Sequence, residues 1–71
     1  MGKLYNEYVK KLEKLGYTCT HYSDINPSTG LAYYETKTNV LKIIYEWVKI
    51  ADNHYTSGKI LSVENVSECY L

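Results

Sequence analysis

One stretch constrains the fold of this chain more than any other: residues 38–58, TNVLKIIYEWVKIADNHYTSG, the longest periodic segment. At about 100° per residue, its apolar side chains fall within roughly half of a helix circumference. These are Val40, Leu41, Ile43, Ile44, Trp47, Val48, Ile50, Ala51 and Tyr55. Thr38 or Asn39 suits a helix N-cap, and Gly58 suits the position after a helix end. The pattern predicts an amphipathic helix over 38–58, too charged to cross a membrane.

A second amphipathic helix is predicted over residues 3–15. One face of it carries Leu4, Tyr5, Tyr8, Val9, Leu12 and Leu15, and the other face is mostly Lys and Glu. Gly16 follows as a stop signal.

Residues 17–25 and 31–37 are rich in Thr and Tyr, and the turn-forming sequence NPSTG lies between them. This pattern predicts a β-hairpin. A four-residue loop over 27–30 places Asn26 opposite Leu31. In that register one face is charged and is expected to face water, while the other packs against the helices. The charged face holds Thr20, Tyr22, Asp24, Tyr33, Glu35 and Lys37, and the uncharged face holds His21, Ser23, Ile25, Ala32, Tyr34 and Thr36.

The tail over 59–70 is predicted as a strand with an irregularity near Asn65, because it is rich in β-branched and aromatic residues. A short terminal helix capped by Ser62 is the alternative. The predicted fold class is therefore α+β, in the order α-β-β-α-β. It is a single domain, 1–71, with a three-stranded antiparallel sheet of order 2-1-3 and two helices packed on one face.

The amino-acid composition limits the classes of function expected for this chain. Eight Lys balance eight Asp plus Glu, so net charge does not steer the protein towards nucleic acid or anionic lipid. The N-terminal segment is charged and amphipathic without an apolar signal region, which predicts a cytoplasmic protein. Nine Tyr, eight Lys and five Asn with no Arg indicate A/T-rich codons, typical of a low-GC bacterium or its phages and mobile elements.

No catalytic motif is found in the sequence. It contains no glycine-rich phosphate loop, nucleophile elbow or HExxH, and no carboxylate is predicted on the face shared by His21 and Ser23. We therefore predict a protein that is not an enzyme and uses no cofactor.

Cys19, His21, His54 and Cys69 are residue types that bind zinc, but their spacing matches no zinc pattern. The predicted fold also places His54 far from the two cysteines, so no metal site is predicted. Cys19 and Cys69 are expected near each other at strand ends. A disulfide or redox pair and two buried free thiols both remain open, and a thiol redox or metal module at Cys19 and Cys69 is a second alternative function.

Four lysines gather on the outer face of the first predicted helix: Lys3, Lys10, Lys11 and Lys14. Such a patch contacts phosphates weakly, and a chain without Arg has no bidentate reader of guanine. A weak nucleic-acid-binding protein is thus one alternative function, and a solvated helix face is the simpler interpretation.

The outer face of the predicted sheet is the leading candidate interface. Tyrosine is enriched at protein interfaces because it adds large contact area and a polar tip at low entropic cost. The candidate residues are Tyr22, Asp24, Leu31, Tyr33 and Glu35. The sequence predicts a small protein–protein interaction module, for example a phage or mobile-element inhibitor of a host defence or transcription protein. Its partner is a protein or a second copy bound through this face or an edge strand.

Overall fold

The computed structural model describes residues 4–66, which form one α-helix followed by four β-strands. The elements are α1 (Tyr5–Lys14), β1 (Thr18–Asn26), β2 (Thr29–Glu35), β3 (Val40–Ala51) and β4 (His54–Asn65). The strands pair antiparallel with their sequence neighbours, in the order β1-β2-β3-β4. The predicted fold of three strands in the order 2-1-3 with two helices is therefore wrong, because the second helix is absent and a fourth strand is present.

The first predicted helix is confirmed, and its end is a glycine stop. Gly16 has φ 95°, in the left-handed region that favours glycine. The Gly16 N–H donates to the Glu13 carbonyl at 3.1 Å and the Tyr17 N–H to the Leu12 carbonyl at 3.0 Å. These two bonds form a Schellman motif, which satisfies carbonyls at the helix end and turns the chain into β1.

The helix predicted over 38–58 is instead β3, a turn and the first part of β4. Seven of the twelve residues of β3 are β-branched or aromatic, which favours a strand over a helix. Asp52 and Asn53 form the turn between β3 and β4, and Asn53 adopts φ 62°, which Asn tolerates better than most residues. β3 carries apolar side chains on both of its faces. When the same residues are placed on a helix, these side chains fall on one wide apolar face, so the sequence pattern fits a helix as well.

The residues predicted as caps of that helix have other roles. The Asn39 N–H donates to Thr36 Oγ1 at 3.1 Å, and the Thr36 N–H donates to the Asn39 carbonyl at 2.9 Å, closing the β2–β3 connection. Gly58 is buried in β4. A Cβ at Gly58 would lie 2.7 Å from Val48 Cγ2 and 2.8 Å from Glu46 Cγ. Cross-strand packing therefore requires glycine at this position.

The β1–β2 hairpin is confirmed as two strands, but its predicted register is wrong. Asn26 pairs with Thr29, so the turn has only two residues, Pro27 and Ser28. Asn26 Oδ1 closes it by accepting hydrogen bonds from the Ser28 N–H and Oγ–H, both at 2.9 Å. This local bond to the backbone is typical of Asn in turns and favours the shorter loop.

Two bulges in β1 shift the register further. Thr20 and Ile25 have no partner of their own on β2, so His21 lies opposite Tyr33 and Tyr22 opposite Ala32. Each extra residue reverses which face the following side chains occupy. Ala32 and Tyr34 of β2 are buried as predicted. Residues 21–24 of β1 are exchanged between the two faces, whereas Thr20 stays beside Glu35.

The predicted strand in the tail is confirmed as far as Asn65, and it begins earlier, at His54. Its irregularities lie near Gly58 and Leu61 rather than near Asn65. The last part of the predicted strand, 67–70, lies outside the described residues.

The core lies between α1 and one face of the sheet, which we call the helix face. Its buried residues are Val9, Leu12, Ala32, Tyr34, Ile43 and Tyr45, and its partly buried ones are Tyr5, Tyr8, Tyr17, Leu41, Trp47 and Ile60. We call the opposite side the open face, because no helix or strand within 4–66 packs on it.

The β3–β4 hairpin extends beyond the rest of the sheet. The last pair between β2 and β3 joins Thr29 to Glu46, so residues 47–57 pair only with each other. We call this segment the arm. It contributes to an elongated shape of 41 × 23 × 22 Å.

Replacing Gly30 tests the close approach of β2 to the Tyr45 ring. A Cβ at Gly30 would lie 2.7 Å from both Cε2 and Oη of Tyr45. Because Tyr5 stacks on the same ring, we expect Gly30→Ala to lower the free energy of unfolding by about 1–3 kcal/mol. Urea denaturation measures the change. The same substitution should cost less in a Tyr45→Leu background, and equal costs in both backgrounds would contradict the steric cause.

Candidate functional site

The structure divides the five predicted interface residues between two faces. Leu31, Tyr33 and Glu35 lie together on the open face, as the alternation along β2 requires. Tyr22 and Asp24 lie on the helix face, because they pair with Ala32 and Gly30. Partner binding by these residues stays a prediction, and the observed register places different neighbours around the three residues of β2.

The open face has an apolar and aromatic centre. Leu31 pairs with Ile44 across β2 and β3, and Tyr33 is the next residue along the same face of β2. All three are half-buried by their neighbours. The register places a charged rim around them, consisting of Glu35, Lys42, Glu46 and Glu64. Three carboxylates against one ammonium make this rim acidic.

A groove of about 390 Å³ crosses the open face beside β1. It is lined by Thr20, His21, Leu31, Tyr33 and Glu35. The bulge at Thr20 lies at this groove and places two residues of β1 opposite one residue of β2. Thr20 Oγ1 donates a hydrogen bond to Glu35 Oε2. The His21 ring meets Tyr33 edge to face, with the ring centroids 6.0 Å apart.

Sequence reasoning missed His21, Thr20 and the β3 part of this surface. His21 was expected on the buried face, and the missing signal was the bulge that moves it. Ile44 and its charged neighbours on β3 were assigned to a helix. Their β-branched and aromatic surroundings, followed by Asp52-Asn53, were the signal for a hairpin.

Tyrosine hydroxyls line the helix face next to β1. Tyr5 Oη lies 3.2 Å from Tyr34 Oη, and the Tyr5 ring stacks on Tyr45 with centroids 3.8 Å apart. Burial, followed by the hydrogen bond to Tyr34, raises the pKa of Tyr5 far above its ordinary value. Burial also raises the pKa values of Tyr34 and Tyr45. The core therefore holds three hydroxyl groups that favour their neutral form.

A second cavity, of about 380 Å³, lies at the base of the arm. We call it the Trp47 pocket, and it is lined by Asp24, Pro27, Trp47 and Tyr55. The Trp47 indole N–H donates to Asp24 Oδ1 at 2.8 Å. The indole also meets Tyr45 edge to face, with centroids 5.4 Å apart. Asp24, predicted on the outer sheet face, thus belongs to this pocket instead.

The thiol and metal alternatives gain little from the observed geometry. Cys19 is exposed rather than buried, and Cys69 lies outside the described residues. Among residues 4–66, no three His, Cys, Asp or Glu side chains come together as metal ligands.

The lysines of α1 are solvent-exposed where they are described. Lys10, Lys11 and Lys14 project from the helix, with Glu7 and Glu13 exposed on the same element, and Lys3 lies outside the described residues. Lys11 and Lys14 occupy the last turn, where a cation interacts favourably with the helix dipole. Stabilisation of α1 through its helix dipole therefore accounts for the charges of Lys11 and Lys14.

Comparison with family models, curated proteins and solved structures finds no match to this chain. In the described part of the chain, no helix is long and apolar enough to span a bilayer.

The buried tyrosines predict a loss of stability at alkaline pH. Above the ordinary tyrosine pKa of 10.0 the unfolded chain releases its phenolic protons, while the raised pKa of Tyr5 keeps that proton in the folded state. The stabilisation is therefore complete below pH 10 and is lost as pH rises beyond it. We expect the free energy of unfolding to fall more steeply with pH above 10 in the wild type than in Tyr5→Phe. Urea denaturation at several pH values measures both slopes, and equal slopes would contradict the assignment.

Proposed function

We propose that this protein is a non-enzymatic protein–protein interaction module whose partner binds the open face. The observation that carries the proposal is the half-buried centre of Leu31, Tyr33 and Ile44 on a face that no helix or strand within 4–66 covers. An apolar centre with a polar rim is the usual anatomy of a protein interface. Tyr33 supplies the aromatic contact area that such interfaces favour.

The rim favours a partner with basic residues. Glu35, Glu46 and Glu64 surround the centre, and Lys42 is the one ammonium among the rim residues. Opposite charge on a partner would speed its approach and orient it on the face. We therefore propose a partner whose contact surface has an apolar patch bordered by Lys or Arg.

The edge strands of the sheet are irregular, which favours binding of a partner to the open face over addition of a partner strand to a sheet edge. β1 carries bulges at Thr20 and Ile25, and β4 carries them near Gly58 and Leu61. Leu4 also forms a bridge to Lys59 on the outer edge of β4. Bulges interrupt the row of backbone groups that an added strand needs, and proteins use them to protect sheet edges.

The A/T-rich residue choice supports a low-GC bacterium as the place to seek the partner. A phage or mobile-element inhibitor of a host protein is the specific form of the proposal that fits this composition. The chemistry expected of the partner is a contact surface that is basic and partly apolar.

Site-specific photo-crosslinking tests the interface. p-Benzoylphenylalanine is placed at Tyr33 on the open face and, as a matched control, at the exposed Lys10 of α1. In cells of a low-GC bacterium we expect position 33 to capture one defined protein and position 10 not to capture it. Truncation of a central interface side chain often costs about 2 kcal/mol or more. We therefore expect Ile44→Ala with Leu31→Ala to weaken binding of the purified partner by roughly thirtyfold or more.

Circular dichroism spectra serve to check that these variants remain folded. Equal capture from positions 33 and 10 would contradict binding through the open face. A crosslinked band at twice the chain mass would identify a second copy as the occupant and would contradict the basic partner.

A further inference from the structure

We propose that the Trp47 pocket is a second binding site, which accepts an arginine side chain of another protein. The pocket lies on the helix face at the base of the arm, with Asp24, Pro27, Trp47 and Tyr55 as its lining. It shares no residue with the open face. The proposal therefore goes beyond the function proposed above and does not depend on it.

The walls of the pocket suit a flat cation. Trp47 is half-buried, and Tyr55, on the neighbouring strand, has 53% of its surface exposed. The faces of Trp and Tyr attract cations, and Trp does so most strongly. A guanidinium group is planar and weakly hydrated, so it stacks on aromatic rings better than an ammonium does.

Asp24 supplies the countercharge. Its Oδ1 accepts the indole N–H of Trp47 at 2.8 Å, which holds the carboxylate against the aromatic wall. A carboxylate has about four acceptor positions, so this bond leaves capacity for two further donors. The guanidinium fork matches a carboxylate, and such charge-assisted bonds are stronger than neutral ones.

The pocket is held in shape before any ligand enters. The Trp47 backbone N–H donates to the Ser28 carbonyl at 2.9 Å, which attaches the base of the arm to the β1–β2 turn. Tyr45 meets the indole from the side, at 5.4 Å between centroids. The ring of Pro27 restricts the turn that forms another wall. A preformed site has less conformational entropy to lose on binding.

The occupant comes from a different protein. The chain itself contains no Arg, so neither its own residues nor a second copy can supply a guanidinium. Lys49 pairs with Tyr55 across the arm, but its Nζ lies 3.7 Å from Asp52 Oδ1 at the arm tip. The ammonium of Lys49 is thus nearest a carboxylate at the exposed arm tip.

Fluorescence of the wild-type protein tests the site directly, because Trp47 is the only tryptophan. The probe is Nα-acetyl-arginine amide, and its control is Nα-acetyl-citrulline amide, which has nearly the same shape and no charge. We expect a saturable change with a Kd on the order of 1 mM for the arginine compound. The citrulline compound should bind at least about tenfold more weakly, since it lacks both the cation–π attraction and the ion pair.

Substitutions locate the binding to the pocket. Asp24→Asn should weaken arginine binding about tenfold, as expected for loss of a charge-assisted pair. Tyr55→Ala should weaken it roughly threefold and leaves the bond between Trp47 and Asp24 intact. Glu64→Gln is the matched control, because it removes one carboxylate on the open face and should leave the affinity unchanged. The NMR shift of the indole N–H provides a second readout.

Equal affinity for the arginine and citrulline compounds would overturn the proposal. So would equal effects of Asp24→Asn and Glu64→Gln, or a Tyr55→Ala variant that binds like the wild type. Capture at position 33 of the open face is unaffected by any of these results, so the two proposals fail separately.

Discussion

The Tyr45 ring is the contact on which the rest of the structure depends. It stacks on Tyr5 of α1 at 3.8 Å, covers Gly30 of β2, and meets the Trp47 indole at 5.4 Å. One side chain of β3 thereby joins the helix, the central sheet and the base of the arm. Because the Tyr45 ring lies so close to β2, the residue beneath it, Gly30, has no room for a Cβ. Burial of Tyr45 also raises the pKa of its own hydroxyl, since charging a buried phenol is unfavourable.

A single helix covers only one side of this sheet, and β3 extends beyond β2; the open face follows from the first feature and the Trp47 pocket from the second. The open face retains apolar side chains of β2 and β3 because β3 is apolar on both sides. The Trp47 pocket forms where β3 continues beyond β2 and the β1–β2 turn meets the arm. Both surfaces are acidic, with Glu35, Glu46 and Glu64 on one and Asp24 in the other. Both proposals therefore name a partner with basic residues.

Local signals predicted part of this structure. α1 ends at Gly16 because glycine adopts positive φ easily, and a glycine at this position can be read from the sequence. The position of Tyr33 and Glu35 on the open face and the burial of Ala32 and Tyr34 follow from alternation within β2, the strand without bulges of its own. For the same reason the three β2 members of the predicted interface do lie together on the open face, whereas the two from β1 do not.

The sequence by itself determined the first helix, the existence of the first hairpin and the two faces of β2, because each depends on residues within one turn or strand. Only the tertiary structure decided that residues 40–51 are a strand, since their apolar residues satisfy a helical period as well as a two-sided strand. It also decided the register of β1, because each bulge changes the face of every residue that follows it. The contact of Trp47 with Asp24 joins residues far apart in the chain, and no local pattern specifies such a pair.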